Sequence, residues 1–278
     1  MTTLGGMSSD FLELLAADAR TGDDAGTALD RVRTVLFECL FHDIADERVT
    51  SLFTILGFTG EFDCYAIAGY PAHSAARTRR DVEKIVADFG GDCLTAEYAA
   101  DGTSPSSVVA LVRQSGAATP EVICNTVSPA FADDRPLALG PSRAGASGAM
   151  HTLRAALYCI KAAPALAATV RQIPRPLRTD DALPERALIG DEDARDELVR
   201  VVYGSLTAAG PDDPTLLTVS TFLRFGGSLE STAKELNVHP NTIRYRLKRA
   251  AESTGWDATD PREAYVLTTA IALGRMKE

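Results

Sequence analysis

The residues with the strongest chemical content lie together in Gly227-Ser-Leu-Glu-Ser-Thr-Ala-Lys-Glu-Leu-Asn-Val-His-Pro-Asn-Thr-Ile-Arg-Tyr-Arg-Leu-Lys-Arg249. Between Ser231 and Arg249 this run carries five cations (Lys234, Arg244, Arg246, Lys248, Arg249) and one anion, Glu235, inside a chain whose net charge is -10. Such a chain does not attract nucleic acid or anionic lipid over its whole surface, so any grip on phosphates has to come from a local basic patch. This run is such a patch. Its uncharged members add the chemistry of base reading, because Asn can pair bidentately with adenine and Arg with guanine in the major groove.

Positioning these groups calls for two helices and a tight turn. Ser228 is a good N-cap, and Glu230 sits in the first turn, where the helix dipole favours an anion. A helix of about eight residues then runs to Leu236. Ala233 is small where a second helix must approach, Asn237 tolerates a left-handed turn and Val238 plugs the corner. Pro240 suits the first position of the next helix, which makes His239 its N-cap. On that helix, 240–251, Ile243, Leu247 and Ala250 define the buried face, and the opposite face carries Asn241, Arg244, Tyr245 and Lys248, with Thr242 and Arg249 at its edge. DNA contact is therefore expected from Asn241, Thr242, Arg244, Tyr245 and Lys248, with His239, Lys234 and Arg249 near the backbone. Arg246 falls beside the buried face and is expected to serve packing or an intramolecular ion pair.

The chain has 278 residues, a prior of about two domains, and its 45% hydrophobic content is ordinary for a packed globular protein. From Asp10 to about Gly57 apolar residues recur at helical spacing, as in Phe11, Leu14 and Leu15, then Leu29, Val32, Leu36 and Leu40, then Val49, Leu52, Ile55 and Leu56. Three helices are expected there. Four runs of β-formers follow, at Phe62–Ala68, Cys93–Tyr98, Val108–Val112 and Glu121–Asn125, with helices expected over Ser74–Phe89 and Ala149–Ala163 and a hairpin turn over Asp101–Pro105. The expected centre is an α/β sandwich of about four strands. Gln172–Pro184, with Pro174, Pro176 and Pro184, reads as a linker that buries little, and Asp191–Ala209 as a helix with Ala194, Leu198, Val201 and Leu206 inward. The fold class is thus mixed α and α/β. Its expected divisions are an N-terminal helical region (1–57), an α/β domain (58–165), a linker with a connecting helix (166–213) and an all-α helix-turn-helix domain (214–278).

The run Leu216-Leu-Thr-Val-Ser-Thr-Phe-Leu223, then Gly-Gly-Ser, Thr-Ala-Lys-Glu-Leu, Val-His-Pro-Asn-Thr-Ile-Arg-Tyr-Arg-Leu, Ser253-Thr-Gly255 and Asp260-Pro261 resembles the C-terminal DNA-binding domain of PucR/CdaR-type bacterial transcription regulators. The resemblance spans about residues 214–275. Its recognition helix is also similar to that of Fis-like helix-turn-helices, which share the Asn-Thr pair. Pro240 departs from it, standing where the family usually has a basic residue, which implies one fewer phosphate or base contact. Asp260-Pro-Arg-Glu263 reads as a capping box opening a last helix behind the motif. The middle of the chain resembles, through Leu139-Gly-Pro-Ser-Arg-Ala-Gly145 and His151-Thr-Leu-Arg-Ala-Ala-Leu157, the degenerate GGDEF-like domain that precedes this DNA-binding domain in the family. Family members often carry an N-terminal sensor. Only about 57 residues precede the α/β domain here, so no dedicated sensor is expected.

Other chemistries find little support. Gly90-Gly91-Asp92-Cys93 invites a cyclase reading, but Cys93 replaces the needed acid, Ala68 and Gly69 stand where metal-binding acids would end the first strand, and the glycines precede a strand instead of lying on a hairpin turn. Gly145-Ala-Ser-Gly-Ala149 lacks the last glycine of a nucleophile elbow. His42 has no second histidine at ligand spacing, and His73 and His151 are isolated and read as structural. The five cysteines contain no CxxC pair, which argues against a disulfide framework or a zinc site and suits a reducing cytoplasm. No apolar run approaches the ~20 residues of a membrane span. Expected, then, is a cytoplasmic regulator without catalytic residues, metal or cofactor. Its expected partners are double-stranded DNA and a second copy of itself, with an unidentified small-molecule effector as a further candidate. Five cations on five phosphates would make log K fall by roughly 4 to 5 per decade of salt. The alternative is a protein-interaction or scaffold module whose helix-turn-helix no longer reads sequence, with an interface nearly blind to salt.

Overall fold

From Cys64 to Gly69 every side chain of strand β1 (Asp63–Gly69) is out of water, as a central strand covered on both faces requires. The computed structural model describes residues 25–99, 105–114, 118–208, 210 and 213–277. These fall into two units, one ending at Gly60 and one starting at Glu61. In the first, α1 (Ala25–Phe41) packs on α2 (Glu47–Ile55), burying Leu36, Phe37, Leu40, Val49, Leu52 and Phe53. Asp46 caps α2 by accepting from the backbone N–H groups of Arg48 and Val49. The expected first helix, around Phe11–Leu15, lies outside the described residues.

In the second unit β1 pairs antiparallel with β3 (Ser107–Arg113), which pairs antiparallel with β2 (Cys93–Tyr98). On the other side of β1 lie β4 (Leu137–Leu139) and β5 (Arg143–Ala144), and β4 pairs in parallel with β6 (Leu177–Arg178). The sheet order is β2-β3-β1-β4-β6, with β5 beside β1. Helices α3 (Ala75–Asp88), capped by Ser74, and α4 (Pro120–Val127) enclose one apolar core around Tyr65, Ile67, Val82, Val86, Val112, Ile123 and Phe131. Helix α5 (Gly145–Leu166) packs on β1, where Thr152 Oγ1 accepts from the Ala66 N–H at 3.1 Å. An α/β sandwich results. Residues 101–104 of the expected hairpin turn lie outside the described residues.

Three expectations are corrected. Glu121–Asn125 is not a strand but the body of α4: Thr119 caps it, Pro120 occupies its first turn, and Ile123, Cys124 and Val127 face inward while Val122 stays 45% exposed. The strand is instead Leu137–Leu139. Gln172–Pro184 is not a linker that buries little. Within it Leu177 and Arg178 pair with β4 as β6 at the sheet edge, and Arg175 donates to Ser128 Oγ at 3.1 Å and to the Ser128 and Phe131 carbonyls. It leads into α6 (Leu183–Leu188), where Glu185 and Arg186 are themselves buried. The next helix, α7, runs Glu192–Thr207 but is π-helical over Leu198–Tyr203. Buried residues recur every four positions, at Ala194, Leu198, Val202 and Leu206, whereas Val201 is 55% exposed. At about 100° per residue a strict four-residue series drifts around an α-helix, and the wider π turn holds it on one face.

All five cysteines are free thiols, and burial pushes Cys64, Cys124 and Cys159 up to about 12. Among the described residues no helix is long and apolar enough to cross a membrane.

Candidate nucleic-acid interface

Four helices follow: α8 (Thr215–Arg224), α9 (Leu229–Glu235), α10 (Pro240–Thr254) and α11 (Pro261–Lys277). Val219 and Phe222 of α8, Ala233 of α9, Ile243, Leu247 and Ala250 of α10, and Val266, Leu267, Ala270 and Ile271 of α11 share one core with Leu198, Val202 and Leu206 of α7. Gly274 lets α11 approach α7 closely: a Cβ there would stand 2.3 Å from the Tyr203 ring.

The local signals of the motif act as expected. Ser228 Oγ accepts from the Ser231 N–H at 3.2 Å and caps α9. Asn237 has φ 51°, the left-handed conformation that turns the chain between α9 and α10. His239 caps α10, its Nδ1 accepting from the Asn241 N–H at 3.2 Å, with Pro240 in the first turn. The helix runs three residues beyond the expected end at 251, to Thr254, where Gly255, at φ 79°, ends it in the left-handed form that suits glycine. The expected capping box at α11 is only half formed. Asp260 Oδ1 accepts from the N–H groups of Arg262 and Glu263, but the Glu263 carboxylate takes the Asp257 N–H, because the Asp260 N–H is already bonded to the Asp257 carbonyl.

The outward face of α9–α10 holds Lys234, His239, Asn241, Arg244, Tyr245 and Lys248, all exposed, with Thr242 half-buried at its edge. Tyr245 is 68% exposed, an aromatic ring left in water at the middle of the face. Arg244 Nη1 donates to Asn241 Oδ1 at 2.7 Å, and Lys248 lies 3.9 Å from Glu252.

Two of the five cations are turned to other work. Arg246 Nη1 donates to Thr218 Oγ1 at 3.3 Å, in line with the packing role expected for it. Arg249 pairs with Asp213 at 3.5 Å, just ahead of α8. Hydrogen bonds from the Thr215 hydroxyl and N–H, with lesser help from Arg249 and Arg246, hold the Asp213 carboxyl below the usual carboxylate range. Neither Asp213 nor Thr218 is legible as part of this site, since each lies 28 or more residues before its partner and outside the helix-turn-helix segment 227–249.

The other candidates lose their chemistry in place. Gly90, at φ 72°, ends α3 ahead of β2. Ser147 is exposed in the first turn of α5, and among the described residues no group of three His, Cys, Asp or Glu side chains could hold a metal ion. His151 is not isolated: its Nδ1 lies 2.8 Å from Asp193 Oδ2, which Arg154 also meets at 2.7 Å. Burial opposes the charge on Asp193, but these two hydrogen bonds outweigh it and hold the carboxyl below its ordinary value.

Comparison with known proteins gives the same picture. Residues 215–273 match the PucR C-terminal helix-turn-helix domain, and residues 42–162 match the GGDEF-like domain. Uncharacterized proteins of Mycobacterium bovis and Mycobacterium tuberculosis are 40% identical over 202 residues, 72% of this chain and 45% of theirs, so the match takes in about half the length of these relatives. The crystal structure of a regulator of polyketide synthase expression from Bifidobacterium adolescentis superposes with a TM-score of 0.77 at 55% identity, covering 89% of this chain and 98% of that one. Both the family and the solved neighbour are regulatory. The chain belongs to the PucR-type transcription regulators, with a DNA-binding helix-turn-helix domain and a GGDEF-like domain before it.

Proposed function

We propose that the protein binds specific DNA sequences as a dimer, each copy laying α10 in the major groove of one half-site. The observation that carries this reading is the outward face of α9–α10, where Lys234, His239, Asn241, Arg244, Tyr245 and Lys248 stand exposed around a helix N-terminus. Asn241, Thr242, Arg244, Tyr245 and Lys248 contact base edges and the flanking phosphates, and His239, Lys234 and Arg249 lie near the backbone. One helix-turn-helix offers too little surface for operator affinity, so two half-sites about one helical turn apart are expected. The protein is a regulator with no catalytic step of its own, acts in the cytoplasm, and leaves the GGDEF-like domain free for an effector.

With Arg246 bonded to Thr218 and Arg249 engaged by Asp213 in the free protein, about three cations per helix-turn-helix remain unengaged for phosphates, which lowers the expected fall in log K to roughly 3 per decade of salt per half-site. The test is fluorescence-anisotropy binding to the gene's own upstream DNA and to a scrambled duplex at several salt concentrations, with Arg244→Ala alongside. The expected result is discrimination between the duplexes and a loss of ~1–3 kcal/mol in the variant. Equal binding of both duplexes by wild type and variant, with a flat salt response, would overturn DNA reading in favour of a protein-interaction module. A monomer at micromolar concentration, with and without DNA, would overturn the dimer.

A further inference from the structure

Asn241 and Arg244 stand three residues apart in the first turns of α10, both exposed, and are joined by the 2.7 Å hydrogen bond from Arg244 Nη1 to Asn241 Oδ1. The donor fixes which way the amide faces. A guanidinium nitrogen cannot accept, so the atom it meets has to be the amide oxygen. Asn241 therefore turns its only side-chain acceptor toward Arg244, one lone pair engaged, and keeps its two Nδ2 donors outside that bond, while Arg244 keeps further N–H donors free. Lys248 beside them adds only donors, and the nearby Glu252 carboxylate lies against the Lys248 ammonium.

Together these groups form a surface of donors, and the four bases answer it differently. Adenine shows an acceptor next to a donor, cytosine a donor, and thymine one acceptor and a methyl group. Guanine alone shows two adjacent acceptors, N7 and O6. We propose that Arg244 and Asn241 act as one unit that reads a guanine in each half-site, with Arg244 touching the base and Asn241 serving as the positioning residue for its guanidinium. This rests on α10 being the recognition helix. It departs from the pairing that the asparagine alone would suggest, which is adenine.

The test is a selection by the full-length protein from duplexes with a randomised 20-base-pair core, followed by anisotropy on the enriched sequence with single 7-deazaguanine or 7-deazaadenine replacements. One guanine per half-site is expected to be sensitive, its 7-deaza form binding about tenfold more weakly. Asn241→Asp is expected to keep the preference for guanine over adenine there, because a carboxylate still holds the guanidinium, even as its charge lowers affinity for all sequences. Asn241→Ala is expected to reduce that preference several-fold, and Arg244→Ala to abolish it. Circular dichroism of each variant guards against a folding defect. A sensitive adenine in place of the guanine, with specificity lost in Asn241→Asp, overturns the inference and leaves DNA reading intact. A pool that never enriches overturns both.

Discussion

Arg249 belongs to the recognition helix by sequence and to the α8 side of the domain by contact, because Asp213 meets it at 3.5 Å while accepting the Thr215 N–H at 2.7 Å. The two tasks of Asp213 can be separated. Asn at this position keeps an oxygen for the Thr215 N–H but removes the charge that competes with phosphate for Arg249, which is still 56% exposed. Asp213→Asn is therefore expected to bind DNA several-fold more tightly at low salt and to steepen the salt dependence by about one phosphate contact, 0.9 in the log–log slope. Titrations of wild type and variant at three or more salt concentrations measure this. An unchanged slope would mean that Arg249 does not reach the backbone even when released.

At the scale of elements, what was legible in the sequence is what local chemistry decides. Ser228, Asn237 and His239-Pro240 each dictate a backbone conformation within one turn, and α9, the turn and the start of α10 form as those residues require, whereas the end of α10 at Gly255 lies three residues past the expected one. The misreadings share a different cause. Val122-Ile-Cys is a short apolar run that fits a strand or a buried helix equally, and only the Thr119-Pro120 cap separates them. Val201 and Val202 cannot be ranked without the π turn, which depends on how α7 packs against α11. The same helix carries Glu197, whose carboxyl is raised above its ordinary value by burial and then by the nearby Asp180 charge. A raised acid contributes stability that is present below its unfolded pKa and lost as pH rises through the folded one, so at neutral pH the ionised Glu197 works against folding. Glu197→Gln is expected to unfold at higher urea than wild type at pH 7, with the difference vanishing near pH 3. A variant less stable at pH 7 would show that the carboxylate has a stabilising partner.

For the molecule as a whole, the decisive segment is the second half of the expected linker, 172–184, together with the residues that follow it to Asp191. Instead of tethering two domains loosely, residues 177–191 form a polar joint between the sheet and the helix-turn-helix. Arg186 and Asp191 pair at 2.7 Å with both side chains buried, and the Arg186 guanidinium also reaches the Thr179 carbonyl. Arg262, at the start of α11, clamps the buried Glu185 with two bonds of 2.6 and 2.7 Å and donates to the Asp181 carbonyl at 2.6 Å. Buried pairs add little net stability over apolar packing, and this joint ties α11 to α6, which packs on α5. Removing one partner leaves the other charge stranded. Arg262→Ala is therefore expected to cost ~3 kcal/mol and to let the helix-turn-helix unfold ahead of the α/β domain, turning one urea transition into two. The double variant Glu185→Gln with Arg262→Ala should recover much of that loss, since a neutral amide is cheaper to leave buried than a carboxylate. Tryptophan fluorescence reports the C-terminal domain alone through Trp256, the only tryptophan in the chain, and far-ultraviolet circular dichroism reports the whole. If the two probes stay coincident in Arg262→Ala and its stability falls by less than ~0.5 kcal/mol, the clamp does not join the domains, and a signal from the GGDEF-like domain would have to reach α10 by way of α7 alone.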